Sequence, residues 1–253
     1  MIKILAIGNS FSQDATAYLY QIAASGGVDI KVGNLCIGGC SLERHHKNLC
    51  EDLCDYGYEI NGRYVGETMT LQAGLCEDNW DFVTMQQASH FSGLPETYYP
   101  HITELSAYVK QYVPNAAQII HQTWAYETDS NHGAFTVYDC DQVKMYNMLK
   151  SSYYNAAVRL NLGIIPSGEI IQKLRLSEEF DYGKGKPSLC RDGFHMHLLY
   201  GRYTIAAAWY EMLCGGDILA AGFLPDQPTY GKMSAAQLDV ISHTVREICN
   251  IYK

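Results

Sequence analysis

The chain has 253 residues, 47% of them apolar and 18% charged, with a formal net charge of -9. This length and composition predict a single globular domain over residues 1–253 with a large core. The acidic balance argues against nucleic acid as a partner, because no basic surface is available to neutralise phosphates. No apolar run approaches the roughly 20 residues that span a bilayer, and no leader precedes the first predicted strand. We therefore expect a cytoplasmic protein that binds no membrane.

Nine cysteines are scattered along the whole chain. Without an export signal they are expected to remain reduced thiols rather than to form a disulfide framework. Cys36, Cys40, Cys50 and Cys54 lie near one another, but no paired Cys-x-x-Cys spacing completes a zinc site. The sequence therefore predicts no metal site and no cofactor.

Short apolar segments alternate with amphipathic ones along the chain, and we interpret them as strands and helices. The first half predicts a strand over residues 3–7, a helix over 14–24, a strand over 30–36, a helix from 41, a strand over 81–85 and a helix over 99–112. The second half predicts a strand over 118–124, a helix over 141–160, a strand over 163–166, and helices over 167–176, 198–213 and from 234 to the C-terminus.

Strands that alternate with helices in this way predict an α/β fold, with a doubly wound parallel sheet covered by helices on both faces. Because crossovers are right-handed, we expect the five strands to follow the flavodoxin-like order in a three-layer α/β/α arrangement. Asn61-Gly62 stands between alternating apolar positions and predicts a hairpin near residues 57–66. We expect this hairpin to be a small insertion that flanks the main sheet.

Polar residues follow three of the predicted strands, at the edge where such sheets bind ligands. They are Gly8-Asn9-Ser10 after the first strand, Gly38-Gly39-Cys40 after the second and Gln86-Gln87 after the third. A loop before a late helix carries Asp192 and His195, and it can reach over the same edge. If serine, histidine and aspartate meet there, they supply a nucleophile, a base and an orienting group. A helix cap is the alternative role for Ser10.

The same residues resemble the SGNH, or GDSL, hydrolase superfamily. The resemblance rests on Ser10 within Gly-Asn-Ser-Phe, a glycine after the second strand and the late Asp192-x-x-His195. Gln-Gln-Ala-Ser-His and Asp-Gly-Phe-His are similar to motifs of one of its bacterial branches, and the resemblance extends from Ile2 to about Leu213. It implies a three-layer α/β/α fold and hydrolysis of carboxylic esters or thioesters through an acyl-enzyme.

The resemblance also implies a role for each matching residue. Ser10 is the nucleophile, His195 is the base, and Asp192 fixes the histidine tautomer and stabilises the imidazolium. The backbone N–H groups of Ser10 and Gly39 face the developing oxyanion. This sequence departs from the family pattern at Asn9, where the family has aspartate, and in lacking the family's Gly-x-Asn-Asp block.

The asparagine of the missing block normally supplies a third donor to the oxyanion. We predict that Gln87 replaces it, because a glutamine amide can also donate a hydrogen bond. Gln86 and His90 are the alternatives, and a strict register from Asp81 favours His90.

The leading hypothesis is a serine esterase that removes acetyl or other short acyl groups from small molecules or carbohydrates. A second is a flavodoxin-like protein in which Ser10, Ser12 and Thr16 bind the phosphate of a nucleotide. A third is a catalytically weak or inactive relative that binds glycans. The acyl group, the alcohol or thiol and the oligomeric state cannot be predicted from these patterns.

Overall fold

The apolar segment near the N-terminus forms the central strand of the sheet. In a computed structural model, which describes residues 1–253, strand β1 (Ile2–Gly8) lies between β2 (Ile30–Cys36) and a later strand and is parallel to both. Residues 4–8 are buried, as expected for an interior strand covered on both faces. The strand therefore delivers the residues that follow it to the carboxyl edge of the sheet.

The sheet has seven strands, so the prediction of five strands was wrong. Its order is β4-β3-β2-β1-β5-β6-β7. The remaining strands are β3 (Tyr56–Ile60), β4 (Arg63–Met69), β5 (Phe82–Met85), β6 (Ala117–His121) and β7 (Gly163–Ile165). The strands β2, β1, β5, β6 and β7 are parallel and follow the predicted flavodoxin-like order.

The two additional strands are the predicted hairpin, which extends the sheet instead of flanking it. Strand β3 pairs antiparallel with β2, so that Gly33 stands opposite Ile60 and Cys36 opposite Gly57. An edge strand has a row of unpaired N–H and C=O groups, and β3 satisfies those of β2. The hairpin therefore places its own exposed strand β4 at the end of the sheet.

Helices cover the sheet in two groups. They are α1 (Ser10–Thr16), α2 (Leu19–Ser25), α3 (Leu42–Glu51), α4 (Leu71–Cys76), α5 (His101–Tyr112), α6 (Gln142–Leu160), α7 (Ser167–Leu174), α8 (Tyr200–Leu213) and α9 (Ala235–Tyr252). Helices α3, α4 and α5 contact one another, whereas α8 contacts α1, α2, α7 and α9. Together with the sheet these groups form a layered α/β/α arrangement. No helix has both the length and the apolar character that crossing a bilayer requires.

The first predicted helix is in fact two short helices, and it begins earlier than expected. Helix α1 starts at Ser10 because Asn9 caps it, and α2 starts after a break at Ala17 and Tyr18. Helix α8 is buried on nearly all sides between α1 and α9, which explains its almost uniformly apolar sequence. The early start places Ser10 in the first turn of a helix, next to the end of β1.

Candidate active site

A tight corner joins β1 to α1 and holds Ser10 at the carboxyl edge of the sheet. The Asn9 side chain accepts a hydrogen bond from the Phe11 N–H at 2.9 Å, as an N-cap does. Gly8 is required here, because a Cβ atom at this position would lie 2.6 Å from the Ser12 Oγ. The Ser10 side chain is partly exposed, so its hydroxyl is accessible from the cavity described below.

The late loop brings His195 and Asp192 to this corner. The Nε2 atom of His195 lies 2.9 Å from the Ser10 Oγ, and its Nδ1 lies 2.7 Å from Asp192 Oδ2. The other oxygen of Asp192 accepts hydrogen bonds from the backbone N–H groups of His195 at 2.8 Å and Phe194 at 3.2 Å. The three side chains predicted from the sequence therefore form one continuous chain of hydrogen bonds.

The environment of Asp192 keeps its carboxyl group ionised. Burial raises the pKa of Asp192, but hydrogen bonds from the His195 ring and from the N–H groups of His195 and Phe194 outweigh it and leave the pKa below its usual value. An ionised Asp192 accepts a hydrogen bond from the Nδ1–H group of His195, so Nε2 is left as the acceptor for the Ser10 hydroxyl. The arrangement can remove the proton of Ser10 and stabilise the resulting imidazolium.

A cavity of about 500 Å³ opens over Ser10 and His195. It is lined by Asn9, Ser10, Phe11, Gly38, Gly39, Ser89, His90, His132, Ala134, Phe194 and His195. Depressions of similar volume lie beside Trp80, at about 510 Å³, and beside Tyr182, at about 570 Å³. Neither of them is lined by Ser10 or His195, so the cavity over Ser10 is the one that contains both side chains.

The loop after β2 contributes a free backbone donor to this cavity. Gly39 has a φ angle of 65°, in the left-handed region that favours glycine, and its N–H group has no acceptor within the protein. Ser10 is the first residue of α1, so its N–H group has no acceptor within the helix. Both residues line the cavity, so two backbone donors without a partner in the secondary structure belong to its wall.

The structure does not bring Gln87 to the cavity, which corrects the prediction that it donates to an oxyanion. Its side-chain nitrogen donates to Thr97 O and Oγ1, both at 3.1 Å, and its oxygen accepts from the Leu42 N–H at 2.9 Å. Gln87 is fully buried and joins three loops, so its amide has no hydrogen free for a ligand. Of the alternatives, Gln86 is also engaged inside the protein, and His90 lines the cavity.

A buried row of hydrogen-bonded polar side chains contacts Asn9 in the corner between β1 and α1. Ser167 Oγ lies 3.1 Å from His121 Nε2, and His121 Nδ1 lies 2.8 Å from Gln86 Oε1. The amide nitrogen of Gln86 donates to Asn9 Oδ1 at 2.9 Å. Burial lowers the pKa of His121 to about 3, so the ring is neutral and can both donate and accept. His121 is therefore a satisfied core histidine, and it orients Asn9 through Gln86.

Asn9 also connects the corner to the loop after β2. Its amide nitrogen donates to Cys40 O at 3.0 Å, while its oxygen accepts from Phe11 and Gln86. A carboxylate at this position could not donate to Cys40 O, so the contact depends on an amide side chain. One side chain thus holds together the segments of Ser10 and Gly39.

His132 contributes to the cavity but was not identified from the sequence. Its ring lies 4.9 Å from that of Phe194, at a nearly perpendicular angle. Burial lowers its pKa, and the nearby charge of His195 lowers it further. It lies in the segment after strand β6, and a segment that follows a parallel strand reaches the ligand-binding edge of the sheet. A histidine in a segment that follows a parallel strand is therefore the sequence feature that could have identified His132.

Two aromatic side chains near the site, His197 and Trp124, lie outside the cavity. His197 packs against Tyr200 and Tyr230 with ring centroids 4.7 Å and 4.3 Å away. Trp124 stacks under Phe11 at 4.2 Å and supports the floor of the cavity without lining it. No cluster of three or more histidine, cysteine, aspartate or glutamate side chains could hold a metal ion.

Comparison with known proteins relates the whole chain to solved structures. A DUF4886 family protein from Bacteroides uniformis ATCC 8492 is 35% identical, with 100% of this chain and 96% of that chain covered and a TM-score of 0.88. A candidate SGNH hydrolase from Slackia heliotrinireducens is 22% identical, with 83% and 97% covered and a TM-score of 0.58.

An acetylxylan esterase, Axe2 from Geobacillus stearothermophilus, has a similar fold. It is 12% identical, with 89% of this chain and 97% of that chain covered and a TM-score of 0.54. These last two similarities concern the fold, which this chain shares with SGNH-type hydrolases. No protein of curated function matches the sequence. The family model described as "Domain of unknown function (DUF4886)" matches residues 3–240, and the chain therefore belongs to the DUF4886 family.

Proposed function

We propose that the protein is a serine hydrolase that cleaves carboxylic esters of short acyl groups through an acyl-enzyme. The observation that carries this proposal is the chain of hydrogen bonds from Ser10 through His195 to Asp192 at the edge of a cavity. A nucleophile, a base and an orienting carboxylate in this order have the geometry of acyl transfer. The shared fold with SGNH-type hydrolases supports the same reaction class.

In the proposed reaction, the Ser10 Oγ attacks the ester carbonyl while His195 Nε2 takes the hydroxyl proton. The carbonyl electron pair moves to oxygen, where the N–H groups of Ser10 and Gly39 stabilise the negative charge, each by roughly 3 kcal/mol of barrier. The intermediate then collapses, and the leaving alcohol takes the proton from His195. Water then attacks the acyl carbon while His195 takes its proton; the bond between that carbon and Ser10 Oγ breaks, Oγ takes the proton from His195, and the acid leaves.

We propose His90 as the third donor to the oxyanion. It lines the cavity together with Ser10 and Gly39, and the Tyr138 hydroxyl donates to its backbone carbonyl at 3.0 Å. Burial lowers the pKa of His90, and the nearby charge of His132 lowers it further. A neutral ring at pH 7 has one N–H group that can donate.

The cavity favours a small acyl group on a polar alcohol. Phe11, Phe194 and Ala134 provide apolar contacts, and three histidines and Ser89 provide polar ones. Acetyl esters of carbohydrates fit this combination, since sugar rings also stack on aromatic side chains. Axe2, which has a similar fold, is an acetylxylan esterase.

The test is hydrolysis of p-nitrophenyl acetate by the wild-type protein and by the variants Ser10→Ala and His195→Ala. Each substitution is expected to reduce kcat by about 10⁴-fold or more, because the two residues act as one unit. Circular dichroism checks that both variants fold. If both variants hydrolyse the ester as fast as the wild-type protein, the proposal is contradicted.

The nucleotide-binding alternative has less support from the contacts. Ser12 Oγ lies 2.8 Å from both Asn9 O and Asn34 Oδ1, either of which can accept its one proton, and Thr16 Oγ1 donates to Ser12 O at 3.0 Å. Both side chains are buried and directed into the protein, so neither hydroxyl is available to a phosphate. An inactive glycan-binding protein would show no turnover of p-nitrophenyl acetate in that assay and would bind acetylated oligosaccharides without releasing acetate.

A further inference from the structure

We propose that Asp14 is a positioning residue that holds the Asp192–His195 turn against the helix of the nucleophile. This inference rests on the proposed serine hydrolase function, and it adds a residue that does not contact substrate. The sequence marks Asp14 only as the start of the predicted first helix. The structure gives its side chain a set of partners on both sides of the late loop.

The Asp14 carboxylate is fully buried, with 0% exposure, and accepts hydrogen bonds from three residues. Its Oδ2 accepts from the Met196 N–H at 2.8 Å, and its Oδ1 accepts from Arg202 Nε at 2.8 Å. Arg191 Nη1 lies 2.9 Å from Oδ1 and 3.2 Å from Oδ2. The same nitrogen donates to Met196 O, so the guanidinium joins the carboxylate to the loop backbone.

These partners are placed at both ends of the turn that carries the base. Arg191 precedes Asp192 directly, and Met196 follows His195 directly. The Arg191 N–H donates to His195 O at 2.9 Å, and Cys190 forms a bridge with Met196, so the turn is a closed unit. One carboxylate therefore fixes both ends of the segment that contains Asp192 and His195.

Asp14 belongs to the same short helix as the nucleophile. Ser10 and Asp14 are four residues apart in α1, so they lie on the same face of the helix, separated by about 6 Å along its axis. The proposed nucleophile and base lie far apart in the sequence, so only non-covalent contacts hold their two segments together. Next to the Ser10–His195 hydrogen bond, the contacts of Asp14 form a polar link between helix α1 and the late loop.

This placement distinguishes positioning from simple stabilisation. Removing one partner of a buried ion pair destabilises a fold, but this lowers the melting temperature and not the kcat of the molecules that stay folded. A displacement of about 1 Å between reacting groups, by contrast, can cost roughly 10²-fold in rate. We therefore expect the loss of Asp14 to affect kcat more than global stability explains.

The experiment compares Asp14→Asn with Glu211→Gln, measuring kcat and KM for p-nitrophenyl acetate and the melting temperature. Glu211 is also buried, with 1% exposure, and it accepts from the Ile218 N–H at 2.9 Å and pairs with Lys253 at 2.6 Å. It does not line the cavity. Both substitutions remove one buried negative charge and keep the size of the side chain.

For Asp14→Asn we expect kcat to fall about 10²-fold, while KM changes by less than about threefold. For Glu211→Gln we expect kcat within about twofold of wild type, even where the melting temperature falls. Equal effects of the two variants on kcat, or an unchanged kcat in Asp14→Asn, overturn the positioning role.

A second variant covers the case in which Asp14→Asn does not fold. Arg191 is partly exposed, and Arg191→Lys keeps the charge but loses the planar group that contacts Asp14 and Met196 O together. We expect a fall in kcat of about 10-fold with a melting temperature close to wild type, and an unchanged kcat contradicts the proposal. Wild type and Ser10→Ala are assayed alongside. Wild-type turnover that does not depend on Ser10 overturns the proposed function itself, whereas Ser10-dependent turnover with an unaffected Arg191→Lys overturns only the role of Asp14.

Discussion

Asn9 explains how one side chain can organise two loops of a candidate active site. Its oxygen accepts from the Phe11 N–H and the Gln86 amide, and its nitrogen donates to Cys40 O. All of these groups lie in a region closed to water, since Asn9 and Gln86 are both buried. An amide is the side chain that can both accept and donate there.

We expect Asn9→Asp to destabilise the fold by about 1–3 kcal/mol, because Cys40 O loses its donor and faces a buried carboxylate. Urea denaturation followed by circular dichroism measures the change. Asn9→Ser is the control, since serine keeps the cap of α1 but lacks the donor to Cys40. A variant Asn9→Asp as stable as wild type contradicts the described role of the amide.

The role proposed for His90 leads to a prediction about activity. His90→Phe keeps a ring in the cavity but removes the N–H group, so kcat is expected to fall about 10²-fold. His90→Asn restores a side-chain donor and is expected to retain more of the activity. Steady-state kinetics on p-nitrophenyl acetate compare the two variants, and a fully active His90→Phe would exclude His90 as a donor.

At the residue scale, the sequence predicted the side chains that depend on strand ends and missed those that depend on loop packing. Ser10, His195 and Asp192 come together because the end of a parallel strand and a late loop meet at one edge. Gln87 also follows a strand, but its amide turns inward to Thr97. The direction of a side chain after a strand depends on tertiary partners, and no local pattern encodes those.

At the scale of elements, the hairpin β3–β4 contacts helix α1 and the break between α1 and α2. Asn34 Nδ2 donates to Glu59 Oε2 at 2.8 Å, and Gln13 of α1 donates to the same carboxylate. The hairpin turn at Asn61 and Gly62 has φ angles of 52° and 76°. A Cβ atom at Gly62 would lie 2.8 Å from Ala17 O, at the break between α1 and α2.

We expect Gly62→Ala to destabilise the protein by roughly 2–3 kcal/mol, because it combines a left-handed φ with a backbone clash. Gly66→Ala is the matched control in the same hairpin, with a φ of 84° and no atom within 4 Å of the added Cβ. It is expected to cost about 1 kcal/mol from the backbone conformation alone. Thermal denaturation gives both values, and equal losses contradict the packing of the turn on Ala17.

The sequence predicts strands well where burial makes them apolar. It predicts less well which strand pairs with which in the sheet. Residues 3–7 and 30–36 read as strands because β1 and β2 are buried in the sheet. The pairing of β3 with β2 depends on which edge is free, and that information is absent from the hairpin itself. The break at Ala17 was missed because helical spacing of apolar residues continues across both short helices.

At the scale of the whole molecule, two buried histidines make stability dependent on pH. Burial lowers the pKa of His45 to about 3 from 6.5, and it does the same for His121. Between these values the unfolded chain binds more protons than the folded one, so acid favours unfolding. Their contribution is complete above about pH 6.5 and is lost as the pH falls toward about 3.

We expect the free energy of unfolding to fall by roughly 1.4 kcal/mol per pH unit for each of these histidines between pH 6 and 4. His45→Phe is expected to reduce the slope, since it removes one of the two groups. Guanidinium denaturation at a series of pH values measures the slope. The same slope in wild type and His45→Phe contradicts the assignment.

We expect Ser10 to be an activated nucleophile, and the roles proposed for His195, Asp192 and Asp14 depend on this. A fluorophosphonate forms a covalent bond with such a serine, and mass spectrometry locates it within the tryptic peptide over residues 4–31. We predict that fragment ions place the added mass on Ser10, that Ser10→Ala shows none, and that His195→Ala reacts far more slowly. No labelling of the folded wild-type protein, or labelling that persists in Ser10→Ala, would contradict the account.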